Sequence, residues 1–514
     1  MATVGSAVES PGASLKPRAG SVEEGSSRKL LGRASIAGAG AIYQQCVSFL
    51  SGLVVARVLG AADYGVFNLA RILVDTSTVV TRLGLDIGLQ RHFGEAGLGD
   101  NARRLLVLRH LRLTASIVAL VPIVAVALGL GTALENHVYH HPGFAGVLSC
   151  LALALPFVTD LGVLGGAYRG TLRPAPSIIA ESVLMPTARL LVIIALFAAG
   201  WHLWAVAAGT TLGSVLASAW LSWRARRDFP VPAADLHAWS EARRVIGYSS
   251  VLAMAVLVTM LTSTMDVLTL GRFGTAEALG QYSLAKTLLV LIGFFSAAFN
   301  QTLGALVAEK YFRNDRRGLV QVLSQTTRWI VLGTLPLFAV FLFWGSNLLL
   351  LFGPTFIVSQ QVIALLAGGQ FLLALFGSMG WALSMTNRHV LELAILVAGL
   401  LLSAVLCYVL VPAHGQAGAA MATFCSILFV NCARTVYARR VLHAFPYDAN
   451  LLLIIAAGVA LAFAAKLLAG VLGLPPFWSC AAGIGLFISS YAAWCWFGLL
   501  RRGVGLRGST NAAR

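Results

Sequence analysis

Apolar runs of about twenty residues recur along nearly the whole chain, separated by short polar stretches. They fall at 34–57, 65–88, 112–134, 144–167, 177–200, 204–223, 249–271, 281–308, 328–351, 359–384, 390–411, 415–436, 450–471 and 477–500. A helix rises about 1.5 Å per residue, so about twenty residues cross the roughly 30 Å hydrocarbon core of a bilayer. The pattern predicts an all-α, polytopic membrane protein with about 14 transmembrane helices. Numbered in chain order, these are spans 1 to 14. Residues 1–33, rich in Ser, Gly, Ala and Pro, are expected to be a disordered tail, with a second tail at 501–514. No apolar core near the start ends in a small-residue cleavage site, so no cleaved leader is expected.

Composition agrees with this picture. Of 514 residues, 58% are apolar and 11% charged, whereas a soluble chain carries roughly 25% charged residues. Charge adds orientation. Thirty of the 37 Lys and Arg lie on the side that holds both termini, two (Arg57 and Arg272) lie opposite, and five are inside spans. By the positive-inside rule both termini are expected in the cytoplasm, with the chain in the cytoplasmic (inner) membrane. The net charge of +17 is thereby explained by topology, and nucleic acid is not expected as a partner. The seven cysteines sit in apolar stretches with no CxxC pair, and read as small buried hydrophobes and not as metal ligands. His137, His140 and His141 share a short loop, read as solvated. No Gly-x4-Gly-Lys-Ser/Thr loop is present, so the chain is not expected to carry its own ATPase.

An internal repeat organises the chain. Shifted by 215 residues, ARVLGAADYGVFNLAR (56–71) overlays GRFGTAEALGQYSLAK (271–286) without a gap. Arg57 meets Arg272, Gly65 meets Gly280, and Arg71 meets Lys286. The expected layout is a six-helix bundle at 34–223, a basic linker at 224–248, a second bundle at 249–440, and spans 13 and 14 within 441–500. An even number of spans per unit makes the repeats parallel, an arrangement whose halves commonly rock about a site between them.

Ionisable groups at membrane depth are costly and usually face a cavity or a partner. In span 2, Asn68, Arg71, Asp75, Thr78, Arg82 and Asp86 recur every three or four residues, on one helical face. That stripe reads either as cavity lining or as two self-neutralising i,i+4 pairs, Arg71–Asp75 and Arg82–Asp86. Span 1 carries Gln44, Ser48 and Ser51, whose repeat mates are Thr259, Ser263 and Asp266. Asp266 reads as a proton or cation site, or as the partner of a cation across the cavity. Asp160, Glu181, Arg189, Asn300, Gln301, Gln370 and Glu392 are also inside spans. Arg189 reads as a further cavity cation or as a ligand of backbone carbonyls. Lys466 in span 13 is expected to snorkel. The repeat-related pair Arg71 and Lys286, seven residues (about 10 Å) below the helix ends, is expected to flank a central cavity. Cations there suit a phosphate or pyrophosphate, and either is expected to be dispensable for folding.

The stretch VVARVLGAADYGVFNLARILVDTSTVVTRLGLDIGLQRHF (54–93) resembles the first-to-second-span signature of polysaccharide-repeat-unit (O-antigen, Wzx-type) flippases. These belong to the multidrug/oligosaccharidyl-lipid/polysaccharide exporter superfamily. MDVLTLGRFGTAEALGQYSLAKTLL (265–289) resembles the seventh-to-eighth-span counterpart. The resemblance implies a transporter and not an enzyme, moving polyprenyl-pyrophosphate-linked oligosaccharide outward by alternating access for polysaccharide assembly. It implies pyrophosphate-holding roles for Arg71 and Lys286, with Arg82 and Arg189 after them. Asp75, Asp86, Asp266, Asn68, Gln44, Ser48, Ser51 and Ser263 are the expected polar lining or ion-coupling groups. Membrane lipids, a polysaccharide polymerase and export machinery are the implied partners. No cofactor is expected; coupling to H+ or Na+, at Asp266 or Asp75, and pull by removal of product both remain open. The multidrug branch commonly has an acid in span 1, where this chain has Gln44, Ser48 and Ser51. An ion-coupled small-molecule exporter is the alternative, followed by a membrane-embedded polymerase or ligase.

Overall fold

The computed structural model describes residues 19–95, 101–171, 173–229, 238–296, 315–385, 389–441, 449–471 and 475–496, with positions 299, 303, 307, 310, 313 and 447. Every regular element among them is a helix. Eleven of these helices are long and apolar enough to cross a membrane. Two are too long for one crossing, Gly38–Phe93 with 56 residues and Val390–Arg440 with 51. Straight helices of that length would measure about 75–85 Å. Each is broken inside, at Gly60 (φ 72°, ψ 179°) and at Gly415 (φ 54°, ψ −128°). Positive φ costs glycine little, so a single residue turns the chain and no loop is needed. Predicted spans 1 and 2, and 11 and 12, are the two arms of these broken helices. Span 14 falls on the 19-residue helix Pro476–Trp494.

The expected tail and linker are shorter than their composition implies. The first helix begins at Ala19, and that of span 7 at Ala238. Helix-forming charged residues, Glu23, Glu24, Arg28 and Lys29 in one and Glu241, Arg243 and Arg244 in the other, extend the helix beyond the apolar run. Residues 1–18, 230–237 and 501–514 lie outside the described residues, as do Asn300 and Gln301.

The molecule is apolar on the outside. Span 3 exposes Leu113, Ile117, Leu120, Val121, Val124 and Leu128 at spacings of one to four residues, a single stripe facing lipid. Inside, the repeat is realised as packing. Spans 2 and 8 cross where Gly65 meets Gly280. A Cβ on Gly65 would strike the Ala276 carbonyl oxygen, and a Cβ on Gly280 would strike that of Ala61. Ala61 and Ala276 are themselves repeat mates, so the contact is reciprocal, as about a two-fold axis.

This crossing closes the end that is poor in basic residues. Around it Arg57 donates from Nε (3.0 Å) and Nη2 (2.8 Å) to the Leu351 carbonyl. Tyr64 meets Phe356 edge to face at 5.9 Å. His141 is buried and bonded through Nε2 to the Gly271 carbonyl (2.8 Å), so it is not a solvated loop residue as expected. Burial pushes its pKa below the usual histidine value, partly offset by that bond. At the basic end, Gly84 and Gly88 let span 2 approach Ser249 of span 7, and Tyr248 donates to the Gly88 carbonyl.

Overpacking a helix crossing costs about 1–3 kcal/mol. Gly280→Val is therefore expected to wedge this end open and speed labelling of Ser283→Cys by an impermeant thiol reagent about tenfold. Unchanged labelling would mean that the seal lies elsewhere.

Candidate functional site

Below the crossing lies a cavity of about 510 Å³ walled by spans 1, 2, 5, 6, 7, 8 and 10. Its lining follows the repeat. Ser48 and Ser263, Gly52 and Val267, Asn68 and Ser283, Arg71 and Lys286, Ile72 and Thr287, and Asp75 and Val290 are six pairs 215 residues apart, all on the wall. Gln45, Ser51, Tyr64, Arg189, Thr210, Thr264 and Gln370 complete the polar surface.

The two repeat-related cations are neutralised in different ways. Arg71 Nε lies 3.4 Å from Asp75 Oδ2 one turn along span 2, both side chains nearly half exposed. Lys286 Nζ reaches across to span 7 and contacts Asp266 Oδ1 at 2.6 Å and Oδ2 at 2.8 Å, and also the Ser263 carbonyl. Asp266 is 1% exposed. It further accepts from Val267 N (2.8 Å), Tyr282 Oη (2.8 Å) and Thr423 Oγ1 (2.9 Å). Its carboxylate is saturated, and of the readings open for it, pairing with a cation is the one the geometry realises. The expectation that Lys286 is dispensable for folding does not survive this geometry, because its removal strands a buried charge.

Arg189 differs from both. Span 5 sits close to span 6 because Gly209 and Gly213 face it; a Cβ on either would come within 3.0–3.3 Å of Arg189 backbone atoms. Its guanidinium lines the cavity, its Nε is buried with no hydrogen-bond partner, and no ion pair involves it among the described residues. The Ser283 hydroxyl is likewise buried and unpartnered on the same wall. The site thus holds three cations against two carboxylates, with unmet donors. Such a surface favours an anionic ligand with acceptor oxygens.

Other predicted residues stand elsewhere. Gln44 is exposed and off the wall; its neighbour Gln45 lines it, since one residue is 100° of helical rotation. Arg82 and Asp86 leave the cavity because the lower part of span 2 runs into the first bundle. There Arg82 packs on Gly162 and donates from Nη2 to the Val158 carbonyl (3.0 Å), and a Cβ at Gly166 would strike the Asp86 backbone. No ion pair joins Arg82 to Asp86 among the described residues, whereas the Arg71–Asp75 pair is formed. Thr259 is exposed. Asp160, Glu181 and Glu392 pair with Arg112, Arg169 and Arg434. Lys466 is exposed, with Nζ 5.7 Å from the Phe343 ring centroid. Gln45 and Thr210 were missed; only a known helical phase would have picked them from their neighbours. Among the described residues no group of three or more His, Cys, Asp or Glu is placed to hold a metal ion.

Comparison with known proteins places this geometry. A family described as "Polysaccharide biosynthesis protein" matches residues 54–361. A protein of Haloferax volcanii named "Probable low-salt glycan biosynthesis flippase Agl15" is 24% identical over 389 residues, 74% of this chain and 78% of its own. Among solved structures, the lipid II flippase MurJ in an inward closed conformation superposes with a TM-score of 0.71 at 10% identity, over 90% of this chain and 98% of that one. An inward-facing multidrug resistance transporter of the MATE family, described as of the MOP superfamily, gives 0.62 at 12% identity, covering 80% and 98%. A superfamily transporter of Pyrococcus furiosus, described as having a binding pocket of reversed polarity, gives 0.55 at 13% identity, covering 82% and 96%. These structural likenesses establish the fold.

Proposed function

This chain belongs to the family described as polysaccharide biosynthesis protein, and from that premise we propose that it is a flippase for a lipid-linked oligosaccharide, of the multidrug/oligosaccharidyl-lipid/polysaccharide exporter superfamily. The observation that carries the substrate class is the Arg189 guanidinium, which has no ion pair among the described residues and lines the same cavity as Arg71, Asp75 and Lys286. A polyprenyl-pyrophosphate group supplies the anion and acceptor oxygens that Arg189 Nε and Ser283 Oγ lack. Asn68, Gln370, Ser48 and Ser263 offer hydrogen bonds to sugar hydroxyls, while the polyprenyl chain stays in lipid. A cationic drug meets the wrong sign of charge.

The mechanism follows from the repeat. With the basic end in the cytoplasm, as the 30-to-2 distribution of Lys and Arg supports, the sealed end faces outward. Head-group binding in the cavity is followed by separation of spans 2 and 8 at Gly65 and Gly280, and the same polar pairs then face the outer leaflet. The paired lining serves both states because each unit presents equivalent residues. Asp75, half exposed beside Arg71, is the carboxylate better placed for ion exchange than the enclosed Asp266.

The test is made in cells depleted of the protein. Polyprenyl-linked glycans are extracted, and their sidedness is read with an impermeant sugar-modifying enzyme. The expected result is a complete repeat unit that accumulates on its carrier, protected from the external enzyme. No accumulation would overturn the flippase reading, and accumulation at the outer face would replace it with a polymerase or ligase step.

A further inference from the structure

A second cavity, about 420 Å³, lies away from the transport site, among spans 3, 4 and 6 of the first bundle toward the basic end. Its wall is graded. On the membrane side Leu113 and Phe157 are exposed and apolar, as an acyl chain requires. Toward the basic end stand three arginines, Arg112 next to Leu113 and Arg109 one turn further on span 3, and Arg226 on span 6. Arg112 is already satisfied. It grips Asp160 in a fork, Nε to Oδ1 at 2.7 Å and Nη2 to Oδ2 at 2.9 Å, and Ser222 and Ser218 add hydroxyls to the same carboxylate at 2.7 and 3.2 Å. Arg109 and Arg226 are exposed and have no carboxylate partner among the described residues.

We propose that this groove binds an anionic phospholipid of the leaflet at the basic end, its phosphate held between Arg109 and Arg226 and one acyl chain lying against Leu113 and Phe157. Charge complementarity selects the occupant. Three arginines against one carboxylate leave two positive charges on the wall of a pocket whose remaining lining is mostly apolar. Basic pockets between membrane helices bind anionic head groups in this manner. The Arg112–Asp160 fork fixes the groove's geometry by tying span 3 to span 4, while Ser218 and Ser222 hold span 6 to the same carboxylate. Both an anionic and a zwitterionic head group offer a phosphodiester to the two guanidinium groups, but the zwitterionic one adds an ammonium that the arginines repel.

The test titrates delipidated full-length protein with phosphatidylglycerol or phosphatidylcholine and counts bound lipid by native mass spectrometry. Phosphatidylglycerol is expected to bind in preference, and the R109A/R226A double variant to bind it about 30-fold more weakly. Arg227→Ala, which removes a cation stacked on Trp223 at 4.1 Å and off the groove wall, is expected to leave binding unchanged. Ser116→Trp, which fills the slot, is expected to reduce binding of both lipids. Equal binding of the two lipids, undiminished binding by the double variant, or displacement of phosphatidylglycerol by polyprenyl phosphate at equal concentration would each overturn the proposal. None of these outcomes depends on transport activity.

Discussion

Lys286→Ala is expected to remove most of the folded protein, well beyond any slowing of transport. Asp266 is 1% exposed, and Lys286 is the sole cation on it among the described residues. Tyr282, Thr423 and Val267 donate neutral hydrogen bonds to it. They orient the carboxylate without balancing its charge. Breaking a buried pair on one side costs about 3–5 kcal/mol, a large share of the roughly 5–15 kcal/mol that holds a typical fold. Neutralising both sides removes the problem. Asp266→Asn combined with Lys286→Ala is expected to recover a monodisperse peak in fluorescence-detected gel filtration, with a melting temperature near the parent's. A single Lys286→Ala protein that elutes and melts like the parent would show that the ammonium is not what stabilises Asp266. The repeat explains why only one half has this dependence. Ser51 stands where the second unit has Asp266, so Arg71 draws its compensation from Asp75 on its own helix, in the more open part of the cavity.

Arg189→Ala is expected to lower transport about 10- to 100-fold while leaving the folded yield unchanged. Hydrogen bonds to charged groups contribute about 1.5–3 kcal/mol each, and each 1.4 kcal/mol is about tenfold. Unlike Lys286, Arg189 leaves no carboxylate stranded when it is removed, because no ion pair holds it among the described residues. Arg189→Lys keeps the charge and loses the planar fork, so an intermediate rate is expected. A second substitution separates charge from shape. Asp75→Asn releases Arg71 and restores the cavity's excess of one cation, and in the Arg189→Ala background it is expected to recover part of the lost rate of exchange measured without an ion gradient, where loss of Asp75 as an ion-exchange group does not enter. The measurement is flipping of a lipid-linked oligosaccharide in proteoliposomes, with thermal melts run alongside. Parent-like transport by Arg189→Ala would remove this guanidinium from the substrate site.

Much of the architecture was legible from local pattern. Runs of apolar residues mark spans whatever their neighbours, since each must satisfy its own backbone inside lipid. The asymmetric distribution of Lys and Arg predicts an orientation for them, and the 215-residue repeat pairs Arg71 with Lys286 and Gly65 with Gly280 before any contact is known. Spacings of three and four placed Asn68, Arg71 and Asp75 on one face, and they share one cavity wall. The limit of such reasoning shows at Gln44 and Gln45, adjacent residues whose roles depend on a helical phase that tertiary packing sets. It shows again at Gly60 and Gly415, which make one helix serve as two spans.

Charge compensation was beyond the reach of local pattern. Lys286 meets Asp266 from 20 residues away, Arg434 meets Glu392 from 42, and Arg112 meets Asp160 from 48. In sequence, Arg112 and Arg434 belong to the basic side and Asp160 and Glu392 look like isolated buried acids. Only adjacency of particular helices turns them into ion pairs, and among the described residues lining the cavity only Arg189 is a cation without one. The sequence by itself determined which segments are apolar enough to span and their two-fold kinship, because those follow from hydrophobicity and repetition along the chain. Tertiary structure alone decided which cavity cation is left without an ion pair, because neutralisation acts through space and depends on what packs beside what.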